Sequence, residues 1–196
     1  MYENDPRIQR TQQLMFDALA ELAGEKSLDE ITVSDIIKRC RIARTTFYRY
    51  YEDKNDFLEK VKSELLLGLF DYTDHHPKKE GDSRYFHNFF EYFYIHRKLF
   101  SAFTKAGKWP EFKETLYTQG VSHYTELFRD YPLQKGIRPE ILANYLVGAH
   151  MQVLMGWLET GFQTDPEELA RITSMLSTEG ALRIAGIDAA GIQLPR

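Results

Sequence analysis

Three arginines, two threonines and four aromatic residues fall within RIARTTFYRYY, residues 41–51, with no acid among them. These side chains do not suit bond-making chemistry; they suit recognition of a polyanion. Arginine forks meet phosphate or a guanine edge. Threonine bonds a base or touches a thymine methyl, and a tyrosine hydroxyl donates to a phosphate oxygen without adding charge. The run belongs to a longer cationic stretch. From Ile36 to Tyr51 there are five basic residues, Lys38, Arg39, Arg41, Arg44 and Arg49, and no acid. The chain as a whole has a net charge of −4, which argues against indiscriminate nucleic-acid binding. Local charge, rather than the total, sets the attraction to phosphate.

Helices must position these side chains. Apolar residues recur at helical spacing along most of the 196 residues, and β-type alternation is never sustained. Met15, Ala18, Leu19 and Leu22 mark one face of a first helix over residues 7–24, ended by Gly24. Thr32 and Asp35 have capping-box spacing. Val33, Ile36, Ile37 and Cys40 then form the stripe of a short second helix. After a break at Arg41-Ile42, a third helix runs from Ala43 to Tyr50, and Asp53 caps a long fourth helix from Lys54. Phe47 and Tyr51, four apart, share one face of the third helix and turn it toward a small core with Ile42. The opposite face presents Arg44, Thr45, Tyr48 and Arg49. Two short helices joined by a tight turn, behind a longer one, make a helix-turn-helix pattern.

The stretch ITVSDIIKRCRIARTTFYRYYEDK resembles the tetracycline-repressor (TetR) family of bacterial transcriptional regulators, over roughly residues 8–58. The family form runs I-T-V-x-x-I-A-x-x-A-G-V-S-x-x-T-F-Y-x-[HY]-F-x-x-K. Ile31, Thr32, Val33, Ile36, Thr46, Phe47, Tyr48, Tyr50 and Lys54 fall on it. Arg41 stands where glycine is usual, at a turn that favours a left-handed backbone, a departure costing about 1 kcal/mol. Ala43 replaces the usual serine cap, at a further cost of about 1 kcal/mol. Tyr51 replaces phenylalanine. The resemblance implies that Tyr48 and Tyr50 meet backbone phosphates and that Lys54 anchors the start of the fourth helix. Arg44 and Thr45 are then the base readers. Thr32 or Ser34 at the start of the second helix, and Arg10 in the first, would touch phosphate; Arg41 can add another such contact.

The resemblance gives the remainder of the chain an architecture, effector binding and dimerisation, but no ligand. Helices are expected over residues 83–95, 96–106, 109–131, 138–161 and 166–185, the last with Asp165 as cap and Pro166 at its first position. The tail GIDAAGIQLPR reads as loose. Residues 141–158 contain no Asp, Glu, Lys or Arg, so that helix must be covered on two sides. A membrane span is rejected because Asn144, His150 and Gln152 interrupt the run. Tyr145, Ala149, Gln152 and Gly156, with Gly148 beside them, form a face of small residues open to another helix. With Leu169, Ile172 and Leu176 of the last helix, it suits a four-helix dimer interface. Dimerisation would set two recognition helices ~34 Å apart, matching half-sites in successive major grooves of an operator.

Residues 85–103 hold nine aromatics and can wall an apolar pocket. Tyr92, Tyr94, His96, His123, Tyr124, Asn144 and Gln152 are its candidate polar contacts, against the alternative of a solid aromatic core. One cysteine, Cys40, excludes an intrachain disulfide, and its apolar stripe makes it a core thiol. The histidines lack metal-ligand spacing, so no metal or cofactor is expected. The N-terminus lacks a signal-peptide core, and the expected location is the cytoplasm.

The expectation is thus an all-α chain. Residues 1–53 form a three-helix DNA-binding domain and residues 54–196 a larger helical effector-binding and dimerisation domain. The function expected is a ligand-responsive DNA-binding dimer, in the family's usual form a repressor released by an apolar or aromatic molecule. Two alternatives stand beside it. One is a DNA-binding dimer without a small-molecule effector, whose C-terminal half only dimerises or meets a protein. The other is an enzyme with an incidental helix-turn-helix, against which stands the lack of any nucleophile or phosphate-loop motif.

Overall fold

A computed structural model describes residues 6–75, 84–107, 109–130, 133 and 136–180. Among these residues the regular structure is entirely helical: α1 (Pro6–Ala23), α2 (Val33–Cys40), α3 (Arg44–Tyr50), α4 (Lys54–His75), α5 (Arg84–Ile95), α6 (Arg97–Lys105), α7 (Pro110–Arg129), α8 (Pro139–Glu159) and α9 (Pro166–Glu179). The tail GIDAAGIQLPR, expected to be loose, lies outside the described residues.

Local chemistry sets the helix starts. Thr32 caps α2 by accepting from the Asp35 amide at 3.2 Å, while the Asp35 carboxylate accepts from the Thr32 amide at 2.8 Å. Two orphan amides are thereby satisfied reciprocally. Asp53 accepts from the Asp56 amide at 2.9 Å to start α4. Asp165 accepts from the Glu167 and Glu168 amides ahead of Pro166, which opens α9. Ala43 leads into α3 with no side-chain cap.

The chain divides into two compact units, Met1–Phe70 with His96–Lys113, and Asp71–Ile95 with Glu114–Arg196. In the first unit, α1 lies against α2 and α6. Met15, Leu19, Ile36, Phe47, Phe57, Leu58 and Val61 are wholly buried there. Because α2 and α3 are too short to be stable alone, tertiary burial of these residues holds them. Electrostatics adds register: Arg39 of α2 reaches Glu21 at 3.0 Å and Glu25 at 2.8 Å on the α1 side. Lys26 meets Asp35 at 2.7 Å.

In the second unit, α9 lies against α5 and also touches α8. The aromatic run becomes core: Phe89, Phe90, Tyr92 and Phe93 are buried, and Phe90 meets Trp157 of α8 edge-on at 5.5 Å. Helix α8 is long and apolar enough to cross a bilayer by length and composition alone. Here Ala143, Val147, Met151, Leu154, Trp157 and Leu158 are buried against protein. At Gly120 of α7, an added Cβ would meet Val147 Cγ1 at 3.2 Å, so α7 and α8 approach closely there.

Candidate nucleic-acid interface

Phe47 is the pivot of α3. It is fully buried, with its ring 5.3 Å from Tyr51 and 5.6 Å from Phe57 of α4. A seven-residue helix pinned on that face must present its other face outward. Arg44, Thr45, Tyr48 and Arg49 are accordingly exposed, and Tyr50 is half-buried. Arg44 and Tyr48 are not independent. The guanidinium carbon lies 5.4 Å from the Tyr48 ring centroid, and Nη2 donates to the Tyr48 hydroxyl at 3.3 Å. The Tyr48 hydroxyl keeps its own proton for a further acceptor.

Tyr51 sits on the inward side, where its hydroxyl is buried without a hydrogen-bond partner at standard geometry. Burial pushes its pKa up to about 12, with the Gln12 side chain pulling the other way. Phenylalanine at this position would leave no polar atom in the core.

The remaining candidate contacts have mixed surroundings. Ser34 is exposed on the first turn of α2, and Arg10 is exposed on α1. The Thr32 hydroxyl is engaged with Asp35 at 2.7 Å. The Lys54 ammonium donates to the Asp29 carbonyl at 3.1 Å, tying α4 to the loop before α2. Arg41 adopts φ 54, ψ 41, the left-handed geometry that the sequence position calls for, with its amide donating to Ile37. Of the five cations between Ile36 and Tyr51, Arg39 is turned inward to Glu21 and Glu25; hydrogen bonding to Glu25 chiefly raises its pKa. Sequence spacing gave no sign of that pairing, since the partners lie 18 and 14 residues away. Cys40 is half-buried, its thiol donating to the Ile36 carbonyl, and burial raises its pKa.

The candidate ligand contacts are distributed over both units. His96 belongs to the first unit, where burial lowers its pKa and nearby Asp17 opposes the shift. Tyr92 is buried with its ring 5.6 Å from Tyr72. Tyr94 stacks on Trp157 at 6.3 Å. Asn144 accepts from the Tyr117 hydroxyl at 2.8 Å and donates to the Glu140 carbonyl. His123 and Gln152 are exposed. Tyr124 lies 5.9 Å from His150, a residue that sequence spacing did not single out. His150 also meets Phe86 edge-on at 4.7 Å, so these two rings and Tyr124 join α5, α7 and α8. Burial, with Tyr85 nearby, raises the Tyr124 pKa.

On α8, Tyr145 is 70% exposed, Ile141 is exposed on the same side, and Ala149 and Gln152 continue the face. An added Cβ at Gly148 or Gly156 would meet nothing within 4 Å. Leu169, Ile172 and Leu176 of α9 are half-buried.

Comparison with known proteins accords with this geometry. Residues 16–61 match the family described as bacterial regulatory proteins, tetR family, and residues 83–179 match the transcriptional regulator C-terminal region of the same group. The chain belongs to the TetR family. The uncharacterized HTH-type transcriptional regulator YxbF of Bacillus subtilis is 24% identical over 163 residues, which are 79% of this chain and 41% of that relative. The chain therefore spans about two fifths of the length of that relative. Among solved structures, the fatty acid degradation regulator FadR from Bacillus halodurans is similar with a TM-score of 0.65 and 17% identity, over 89% of this chain and 96% of that one. The dihydroxyacetone kinase operon activator DhaS is similar with a TM-score of 0.64 and 17% identity, over 91% of this chain and 98% of that one. These likenesses establish the fold.

Proposed function

We propose that the chain is a dimeric, sequence-specific DNA-binding transcriptional regulator of the cytoplasm. The observation that carries this reading is the outward display of Arg44, Thr45, Tyr48 and Arg49 on a helix held from behind by buried Phe47. Arg44 and Thr45 read base edges. Tyr48, Tyr50, Arg49 and Lys54 hold backbone phosphates, with Thr32 or Ser34 at the foot of α2. The face of α8 from Ile141 through Tyr145 to Gln152, together with α9, meets a second copy, giving the twofold symmetry that two half-sites require.

The second unit takes an apolar or aromatic effector that shifts the dimer between states of different head spacing. Its influence on DNA affinity equals its differential affinity for those states. Release from the operator makes the protein a repressor. DhaS, by its name an activator, has the same fold; a reporter whose transcription fell when this protein was deleted would overturn the repressor reading.

Selection from a random duplex library supplies the operator, and a salt titration on it supplies the test. With about eight phosphate contacts in the dimer, log K falls against log salt with a slope of order −7. A flat response would sink the reading. Sedimentation of the wild type and of Tyr145→Glu tests the second copy: the variant is expected to run as a monomer. Thermal-shift screening with small aromatic compounds tests the effector, and no stabilisation by any of them would leave a regulator without one.

A further inference from the structure

Two non-glycine residues among those described have a positive φ, Arg41 at 54° and Phe162 at 61°. A left-handed backbone is strained for an L-residue with a side chain, and such strain persists where the surroundings or the function demand it. For Phe162 the surroundings suffice. Its ring is buried and lies 4.8 Å from Trp157, and its amide closes the end of α8 by donating to the Trp157 carbonyl at 2.9 Å. Burial of the ring offsets the strain.

Arg41 has no such compensation. Its backbone closes α2 in the same way, with the Ile42 amide donating to Ile37 at 3.3 Å, but glycine would serve that turn without strain. The side chain is exposed and makes no hydrogen bond or ion pair with the described residues. Arg39, two positions earlier, shows the contrast, being fastened to Glu21 and Glu25. Proximity to the carbonyl end of α2 favours any cation weakly and is screened by salt. The fold therefore gains little from a guanidinium at this corner. A phosphate diester gains more, because the fork of N–H donors matches its oxygens and the charge is always present.

We propose that Arg41 is a backbone-phosphate anchor for duplex DNA, displayed by the left-handed corner that joins α2 to the reading helix. This inference rests on the DNA-binding reading of α3 and adds to it a contact made at the turn. It explains why an exposed, unpaired arginine occupies a corner built for glycine, three residues before Arg44.

A phosphate contact is independent of sequence, so random-sequence duplex DNA is the probe, titrated with salt. Arg41→Gly is expected to raise the thermal midpoint, since strain is relieved. It should also weaken low-salt binding several-fold and make the salt slope shallower by about one per bound subunit. Arg41→Lys, which keeps the charge and the strain, should keep the slope. Lys60→Gln removes the same charge from an exposed position on α4 and should leave the slope unchanged. If Arg41→Gly binds with the wild-type slope, or lowers the thermal midpoint, the proposal fails. Equal losses from Arg41→Gly and Lys60→Gln would assign the effect to net charge and overturn it. So would Arg41→Lys behaving as glycine does. A wild-type protein that ignored duplex DNA would remove the regulator reading itself, and this inference with it.

Discussion

The imidazole Nε2 of His150 lies 2.8 Å from the Ser177 hydroxyl, linking α8 to α9. Ser177 donates to the Thr173 carbonyl at 2.7 Å. Its proton being committed there, Ser177 accepts from His150, which fixes the tautomer with hydrogen on Nε2. The ring is neutral, and burial alone lowers its pKa to about 4 from 6.5.

This arrangement sets a pH window. Folded His150 resists protonation while the unfolded residue accepts it, so stability is full above about pH 6.5 and falls as pH drops from there toward 4. The loss is about 3 kcal/mol once the pH reaches the folded value. Thermal midpoints measured across that window should fall for the wild type and fall less for His150→Phe. An equal fall in both proteins would show that His150 is not the group responsible.

The Thr32–Asp35 box makes a separate prediction. Thr32→Ala removes a cap and should cost about 1 kcal/mol, lowering the thermal midpoint by roughly 2–4 °C for a chain of this size. The Asp35 carboxylate is held below its ordinary pKa, chiefly by its hydrogen bond with Lys26 and also by Thr32. Its contribution is present above the unfolded carboxylate pKa and is lost as pH falls through the folded one. Asp35→Asn should therefore blunt the acid sensitivity that remains below pH 4. Calorimetry of the two variants at neutral and acid pH separates the effects.

Glycines on α7 and α8 should respond oppositely to alanine. At Gly120 the new methyl would press on the stiff, buried Val147. Overpacking there should outweigh the gain in helix propensity and destabilise by about 1 kcal/mol. Gly148 has open space, so Gly148→Ala should stabilise the monomer by up to about 1 kcal/mol. If that face is covered by a second copy, the same change should weaken self-association. Denaturation and sedimentation read the two quantities independently.

Arg44 and Tyr48, joined through the guanidinium and the phenol, should not act additively in DNA binding. Tyr48→Phe removes the proposed phosphate donor and the acceptor that steadies Arg44. A double-mutant cycle with Arg44→Ala on the selected operator should show a coupling of about 0.5–1 kcal/mol. Strictly additive losses would mean that the pair separates on binding.

Much of the architecture is legible in the sequence because its signals are local. Thr32 with Asp35, Asp53, and Asp165 with Pro166 mark helix starts through bonds made within three residues. The left-handed corner at Arg41 is expected from the family resemblance, which has glycine at that position. Phe47 and Tyr51 point inward because four residues make one helical turn. What stays hidden is partnership across space. Arg39 looked like one more free cation until Glu21 of α1 and Glu25 of the turn after it closed on its guanidinium. His150 gave no motif, because its partner Ser177 lies 27 residues away. His96 stands within the aromatic run of residues 85–103, yet with Phe100 and Phe103 it belongs to the other unit. Periodicity states which face a residue occupies, not what meets that face.

The two units are interleaved along the chain: α4 changes membership after Phe70, α7 after Lys113, and α5 and α6 are separated by His96 alone. No single cut can release either one whole. A fragment ending at residue 70 would lose the α6 wall beside α1. Limited proteolysis or truncation should therefore yield incomplete folds rather than a working reading head, and shuffling such heads between relatives would require three splice points, after residues 70, 95 and 113.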